Sequence, residues 1–192
     1  MVAPNLTSRQ QAIQEARQVL AQNPVYLDTE TTGLNKSDEI VEITIIDAAG
    51  QVLLNSLVRP LQPIPPSATQ IHGISNDMVQ KSPAWPILWM QIRPLLLNKI
   101  IVAYNSDFDH RLLQQSHALY KLPWRDRLTF FDLLTLYAKF RGEWDANRRS
   151  WRYFSLDQAG KSSNIALPNA HRATADTLLT HALLHDIAGQ TA

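Results

Sequence analysis

The chain has 192 residues, 45% hydrophobic and 18% charged, with 18 Lys+Arg against 17 Asp+Glu and a formal net charge of +1. That size closes one hydrophobic core rather than two, and the balanced charge gives no bulk field to draw in nucleic acid or a membrane surface. The absence of cysteine excludes disulfides, thiolate zinc sites and a cysteine nucleophile, and leaves oxygen or imidazole to hold any metal.

The polar N-terminus lacks the apolar core of a signal peptide, and no apolar run approaches the roughly 20 residues of a membrane span, so a cytoplasmic protein with no membrane partner is expected. Ala12, Ile13, Ala16, Val19 and Leu20 recur at helical spacing and Pro24 stops the pattern, which predicts an N-terminal helix over about 8–22. Strands are predicted at 25–30, 40–47 and 51–59, an antiparallel meander with a turn at Ala49-Gly50. Residues 60–66 (PLQPIPP) carry too many prolines for a helix or a central strand and read as a stiff connection to Ile71-His72-Gly73-Ile74. A helix follows over 82–97, with Pro86 in its first turns and Pro94 kinking or ending it. The run IIVAY at 100–104 fits a strand buried on both faces. Helices are then predicted over 107–120, over 132–141, from near Ser155, and over 170–187 with Gly189 as its stop. This order predicts one α/β domain over 1–192: a mixed β-sheet, three antiparallel strands and then parallel ones, flanked by α-helices.

Three acidic segments stand out. Asp28 and Glu30 are two apart on a strand, so both carboxylates project from one face, an arrangement that invites either protonation or a cation. Gly33 just beyond permits a tight turn and close approach by a ligand. The second segment, Asn105-Ser106-Asp107-Phe108-Asp109, lies where the strand IIVAY gives way to a helix, the end of a sheet where ligand groups collect. Asp107 reads as the N-cap, and Asp109 taken singly as a partner of the helix dipole. In the third, His171-Arg172-Ala173-Thr174-Ala175-Asp176, a spacing of five turns a helix by roughly 140° beyond a full revolution. His171 is therefore expected on the loop after Pro168-Asn169 or in the first turn, with Asp176 a turn further in.

DTETTG at 28–33, NSDFD at 105–109 and HRATAD at 171–176, with IHGIS at 71–75, resemble in order and placement the motifs of the DEDDh exonucleases. That family lies within the DnaQ-like superfamily, with the proofreading subunit of bacterial replicative polymerase and ribonuclease T. The resemblance implies a ribonuclease H-like fold and a 3′-to-5′ exonuclease using two Mg²⁺ or Mn²⁺ ions. By motif, Asp28, Glu30 and Asp176 would hold one ion, Asp28 would also face the second, Asp109 would hold that one partly through water, and His171 would be the general base. Hard oxygen ligands suit these ions, and a pair roughly 4 Å apart stabilises both the attacking and the leaving oxygen of an in-line displacement. The product would be a nucleoside 5′-monophosphate. The resemblance also places Thr31, Thr32, Gly33, Leu34, His72, Asn105 and Phe108 at the terminal nucleotide, with Leu34 as a wedge between the last bases.

Arg125, Arg127, Lys139, Arg141, Arg148, Arg149 and Arg152 are interleaved with Trp124, Trp144, Trp151, Tyr153 and Phe154. Such a mixture grips phosphates and stacks unpaired bases, and it is equally what a surface loop over a core edge looks like. No G-x-S-x-G turn and no GxxxxGK[ST] loop occurs. The expectation is an exonuclease on single-stranded nucleic-acid 3′ ends, DNA favoured over RNA, with a polymerase or repair protein as a partner class. An RNA 3′-end trimmer and a non-catalytic end- or polymerase-binding module are the alternatives.

Overall fold

The computed structural model describes residues 6–165 and 171–191. The first helix, α1 (Ser8–Leu20), begins at a reciprocal cap in which Thr7 and Gln10 satisfy one another's backbone N–H groups. A meander follows: β1 (Val25–Thr31), β2 (Ile40–Ile46) and β3 (Val52–Leu57). Next come α2 (Pro66–His72), α3 (Asn76–Val79), α4 (Trp85–Leu96), β4 (Ile100–Ala103) and α5 (Ser106–Leu119). The chain continues through β5 (Thr129–Asp132), α6 (Leu133–Arg141), a short hairpin of β6 (Trp144–Asp145) and β7 (Ser150–Trp151), α7 (Leu156–Ser162) and α8 (Ala173–Gly189). The five-stranded sheet has the order β3-β2-β1-β4-β5, antiparallel from β3 to β1 and parallel from β1 to β5. The mixed α/β sheet expected from the sequence is thus the one found.

Strand pleating distributes the core. Tyr26, Ile46 and Val102 face α1, α6 and α8, where Ile13, Leu136, Leu183 and Ile187 are buried. Val25, Leu27, Ile43 and Ile101 face the opposite layer, packed on Trp85, Leu88 and Ile92 of α4 and Leu112 and Leu113 of α5. A sheet covered on both faces explains why β2 is buried at every position, Glu42 included.

Several local expectations are corrected. Pro66 does not extend the stiff connection but opens α2, because the first helical position needs no N–H and favours proline's fixed φ. Pro94 does not stop α4, which runs two residues further; the proline sits in the last turn, where the freed carbonyl belongs to exposed Met90. Asn105 rather than Asp107 caps α5, from a left-handed conformation at φ 67° that asparagine tolerates, and its side chain makes no capping bond. Instead Asp132, the N-cap of α6, accepts hydrogen bonds from the backbone N–H groups of Asn105 and Ser106, which ties the ends of β4 and β5 together. The last helix begins at Ala173 and includes Gly189. A start at Ala170 and the loop containing Pro168-Asn169 lie outside the described residues. β5 and the β6–β7 hairpin were not anticipated. Among the described residues no helix is long and apolar enough to cross a membrane.

Candidate active site

The site is assembled by the pleat of β1. Asp28 and Glu30 share the face that looks toward α8, and Asp176 in the first turn of α8 meets them there. One carboxylate oxygen from each of Asp28, Glu30 and Asp176 lies within 4.8 Å of the other two. Thr29, between the two acids, points the other way, and its hydroxyl donates to Asp109 Oδ1 at 2.7 Å. One strand therefore presents two carboxylates on one face and grips a third, on α5, from the other.

The electrostatics record a shortage of positive charge. Burial pushes Asp28 well above the usual carboxylate range, reinforced by the charges of Asp109, Asp176, Glu30 and Glu42. Burial also pushes Glu30 up to about 8, with Asp176 and Glu42 adding to the shift and Arg172 opposing it. Asp109 is pushed up to about 7 by burial, against the hydrogen bond from Thr29. Asp176 is raised by burial and drawn back by the nearby His171. An all-oxygen donor set held this close, with both like-charge repulsion and burial favouring protonation, fits a hard divalent cation.

Two residues outside the expected set hold this arrangement in place. Glu42 on β2 is opposite Glu30 in the strand register and only 1% exposed. Its carboxylate accepts from Arg172 Nε at 3.1 Å and Arg172 Nη2 at 2.6 Å, and from the backbone N–H of Ala173 at 3.1 Å. This bidentate pair pins the start of α8, and with it His171 and Asp176, to the sheet. An acid in the middle of the apolar run IVEITII is its signal in the sequence, and a lone acid inside a strand carries no partner in the sequence pattern.

His171 is exposed, with a left-handed backbone at φ 67°, and lines a cleft of about 900 Å³ together with Asp28, Asp176, Tyr104 and the wall made by α7. A second pocket of about 360 Å³ adjoins the same acids on the Glu30 side, and Thr31, Thr32, Gly33, Leu34, His72 and Phe108 all line it. Asn105 lines neither; the structure places it at the β4–α5 turn, tied to Asp132. Leu34 is 77% exposed at the pocket's rim. Its loop is fixed from below: Asp38 accepts from the Thr32 hydroxyl and the Asn35 N–H, and the Gln115 amide on α5 donates to the carbonyls of Asn35 and Asp38. A Cβ at Gly33 would stand 2.6 Å from Asp38 Oδ2, so any larger residue would push the Asp38 carboxylate off its hydrogen bonds to this loop. His72 is 4% exposed; its Nδ1 accepts from the Ile74 N–H, which leaves the ring proton on Nε2, an atom with no hydrogen-bond partner.

The basic and aromatic residues divide. Trp124 is a core-edge residue, its ring 5.5 Å from Trp89 and 4.8 Å from His117. Lys139 pairs with Glu15 at 2.7 Å. Arg148, Arg149, Trp144 and Trp151 belong to the β6–β7 hairpin.

Comparison with known proteins agrees with this geometry. The sequence model of the RNase_T family, described as exonuclease, matches residues 25–184. An uncharacterised exonuclease, CP81, of Escherichia phage 186 is 37% identical over 182 residues, covering 91% of this chain and 93% of that protein. A DNA polymerase III subunit epsilon-like protein of Rhodobacter capsulatus is 31% identical over 166 residues; the match covers 81% of this chain but only 22% of that longer protein. Among solved structures, exonuclease X in complex with 5′ overhanging duplex DNA superposes with a TM-score of 0.62 at 30% identity, covering 88% of this chain and 94% of that one. The fold is accordingly ribonuclease H-like, and the chain belongs to the RNase T exonuclease family, within the DnaQ-like 3′-5′ exonuclease superfamily.

Proposed function

We propose that the protein removes nucleotides from the 3′ end of single-stranded DNA, releasing nucleoside 5′-monophosphates, as a DEDDh-type enzyme with two divalent cations. The observation that carries this reading is the meeting of Asp28, Glu30 and Asp176 between two pockets, Asp28 and Asp176 lining the cleft shared with His171 and Glu30 lining the other. Asp28, Glu30 and Asp176 would hold one Mg²⁺ or Mn²⁺, with Asp28 and Asp109 toward the second. When bound, such a pair supplies charge stabilisation at the attacking and leaving oxygens.

The chain's own groups do the rest. The terminal nucleotide occupies the pocket beside Glu30, with His72 in its wall, and the exposed Leu34 separates its base from the next. The remainder of the strand leaves through the larger cleft, along α7. His171 accepts the proton of the attacking water, a task suited to imidazole near neutral pH. DNA is favoured because the exonuclease X relative is seen with duplex DNA and the Rhodobacter relative is named for a DNA polymerase subunit. That second name also makes a polymerase or repair protein a partner class.

The test is digestion of matched 5′-labelled DNA and RNA oligomers with Mg²⁺, with Mn²⁺ and with chelator. A metal-dependent ladder shortening from the 3′ end, faster on DNA, is expected. Faster cleavage of RNA would replace the substrate, and binding without cleavage in any metal would make the protein an end-binding module. His171→Ala is expected to lower kcat by about 10²- to 10⁴-fold with little change in KM; a defect confined to KM would remove it from the role of base.

A further inference from the structure

We infer that the β6–β7 hairpin is a second nucleic-acid contact, an arm that holds the single strand upstream of the nucleotide being removed; this rests on the exonuclease reading above. The hairpin has two unlike faces. Trp144 and Trp151 are paired across the ladder with ring centroids 5.1 Å apart and planes at 82°, so they share one face. Trp144 is 57% exposed and Tyr153, two residues beyond Trp151, is 54% exposed. Large aromatic surface left open to water at this density is costly for a purely structural loop and is what base stacking uses. The other face is anchored: the guanidinium groups of Arg141 and Arg152 lie over the Phe154 ring at 4.9 and 5.2 Å, and Phe154 packs edge-on against Tyr137 of the core.

Charge points to the same occupant. Segment 141–154 holds four arginines against Glu143 and Asp145, in a chain whose overall balance is only +1. Glu143 is spent on Arg141 and Arg152, at 2.9 and 3.3 Å. At the tip, Arg148 has only a loose 3.7 Å contact with Asp145 and its side chain is 79% exposed, and Arg149 makes no ion pair among the described residues. The tip arginines are thus available to phosphates, beside aromatics available to bases, which favours nucleic acid over a protein partner.

Position completes the argument. Tyr104, which lines the large cleft, donates its hydroxyl to the Phe154 carbonyl at 2.7 Å, and Ser155 lines the same cleft. Trp151 is four residues from Ser155, at most about 14 Å of extended chain, a span of roughly two to four nucleotides. A strand leaving the acidic cluster past Tyr104 and the Ser155 end of α7 comes within reach of the hairpin.

The test uses the full chain with Trp144→Ala/Tyr153→Ala and Arg148→Gln/Arg149→Asn, asparagine being chosen to tolerate the left-handed backbone at 149. Binding of a labelled DNA strand of about 20 nucleotides is followed by anisotropy in chelator, and cleavage is measured on that strand and on a trinucleotide. The aromatic variant is expected to weaken binding of the long strand about tenfold or more while trinucleotide cleavage stays unchanged. The arginine variant is expected to flatten the plot of log affinity against log salt by about 0.7 per lost phosphate contact. Trp144→Phe/Tyr153→Phe, which keeps the stacking surfaces, should bind as the parent does. Unchanged affinity and salt slope would overturn the inference and leave a protein partner as the hairpin's use. An equal loss on both substrate lengths would also overturn it, by making the hairpin a structural prop. A parent that binds through the hairpin yet cleaves nothing would retain the arm and defeat the exonuclease reading.

Discussion

Asp176 shows how one side chain can oppose the fold it serves. Its carboxyl is raised by burial and stands within 4.8 Å of Asp28 and Glu30, so without a cation the ionised trio repels itself. Asp176→Asn is expected to abolish cleavage and, in chelator at pH 8, to raise Tm by on the order of 2–4 °C, the response of a chain this size to roughly 1 kcal/mol. Adding Mn²⁺ should raise the Tm of the parent and not of the variant; activity retained in Asp176→Asn would remove the residue from the site. The meeting of Asp28 and Glu30 on one face could be read from strand periodicity, whereas Asp109, His171 and Asp176 were singled out by the resemblance, which also supplied every role. Thr29 and Glu42 were not: a threonine between two acids, or a glutamate inside a β-branched run, acquires meaning only when the partner across the sheet is known.

At the level of elements, the decisive joint is between β2 and the start of α8. The helix has no side-chain N-cap of its own; the Glu42 carboxylate, bonded to the Ala173 N–H and to Arg172, takes that place. Glu42→Gln and Arg172→Lys are each expected to reduce kcat about 10- to 100-fold through misplacement of His171 and Asp176, the usual scale for residues that orient ligands. The check is kinetic together with Mn²⁺ titration: weakened metal binding and lowered kcat with KM little changed would agree, whereas a lowered Tm with normal kcat would make the pair merely structural. Elements with long apolar periodicity, such as α1, β2 and α4, could be read from the sequence. Those fixed by neighbours could not: α2 is hidden behind prolines that serve as its entry, and β5 is four residues whose strand character comes from pairing with β4.

For the whole molecule, folding and charge are linked with a definite sign. Glu30 at about 8 and Asp109 at about 7 lie above their ordinary values, so the metal-free folded state binds more protons than the unfolded chain across the interval between. The stability contributed by the protonated groups is fully present below about pH 4 and is lost as pH rises through the folded values. In chelator the protein is therefore expected to show a falling Tm between about pH 5 and pH 8.5, with Mg²⁺ or Mn²⁺ removing most of the slope. A Tm that rises over this range in chelator would mean that the acids are ionised and separated in the free protein. The sheet order and the two helical layers follow from the succession of strands and helices.

The alternation of β1 has a last consequence, for assembly. Because Asp28 and Glu30 look toward α8 while Thr29 looks toward α5, a slip of one residue would turn both acids to the opposite side of the sheet. Thr29 and Thr31 would then face Asp176 in place of the two acids, and Asp109 would lose its hydroxyl donor. On the proposed two-metal reading, a chain that mispairs this strand would turn away two of the three clustered carboxylates, so cation binding would select the correctly registered sheet from its neighbours in the folding ensemble.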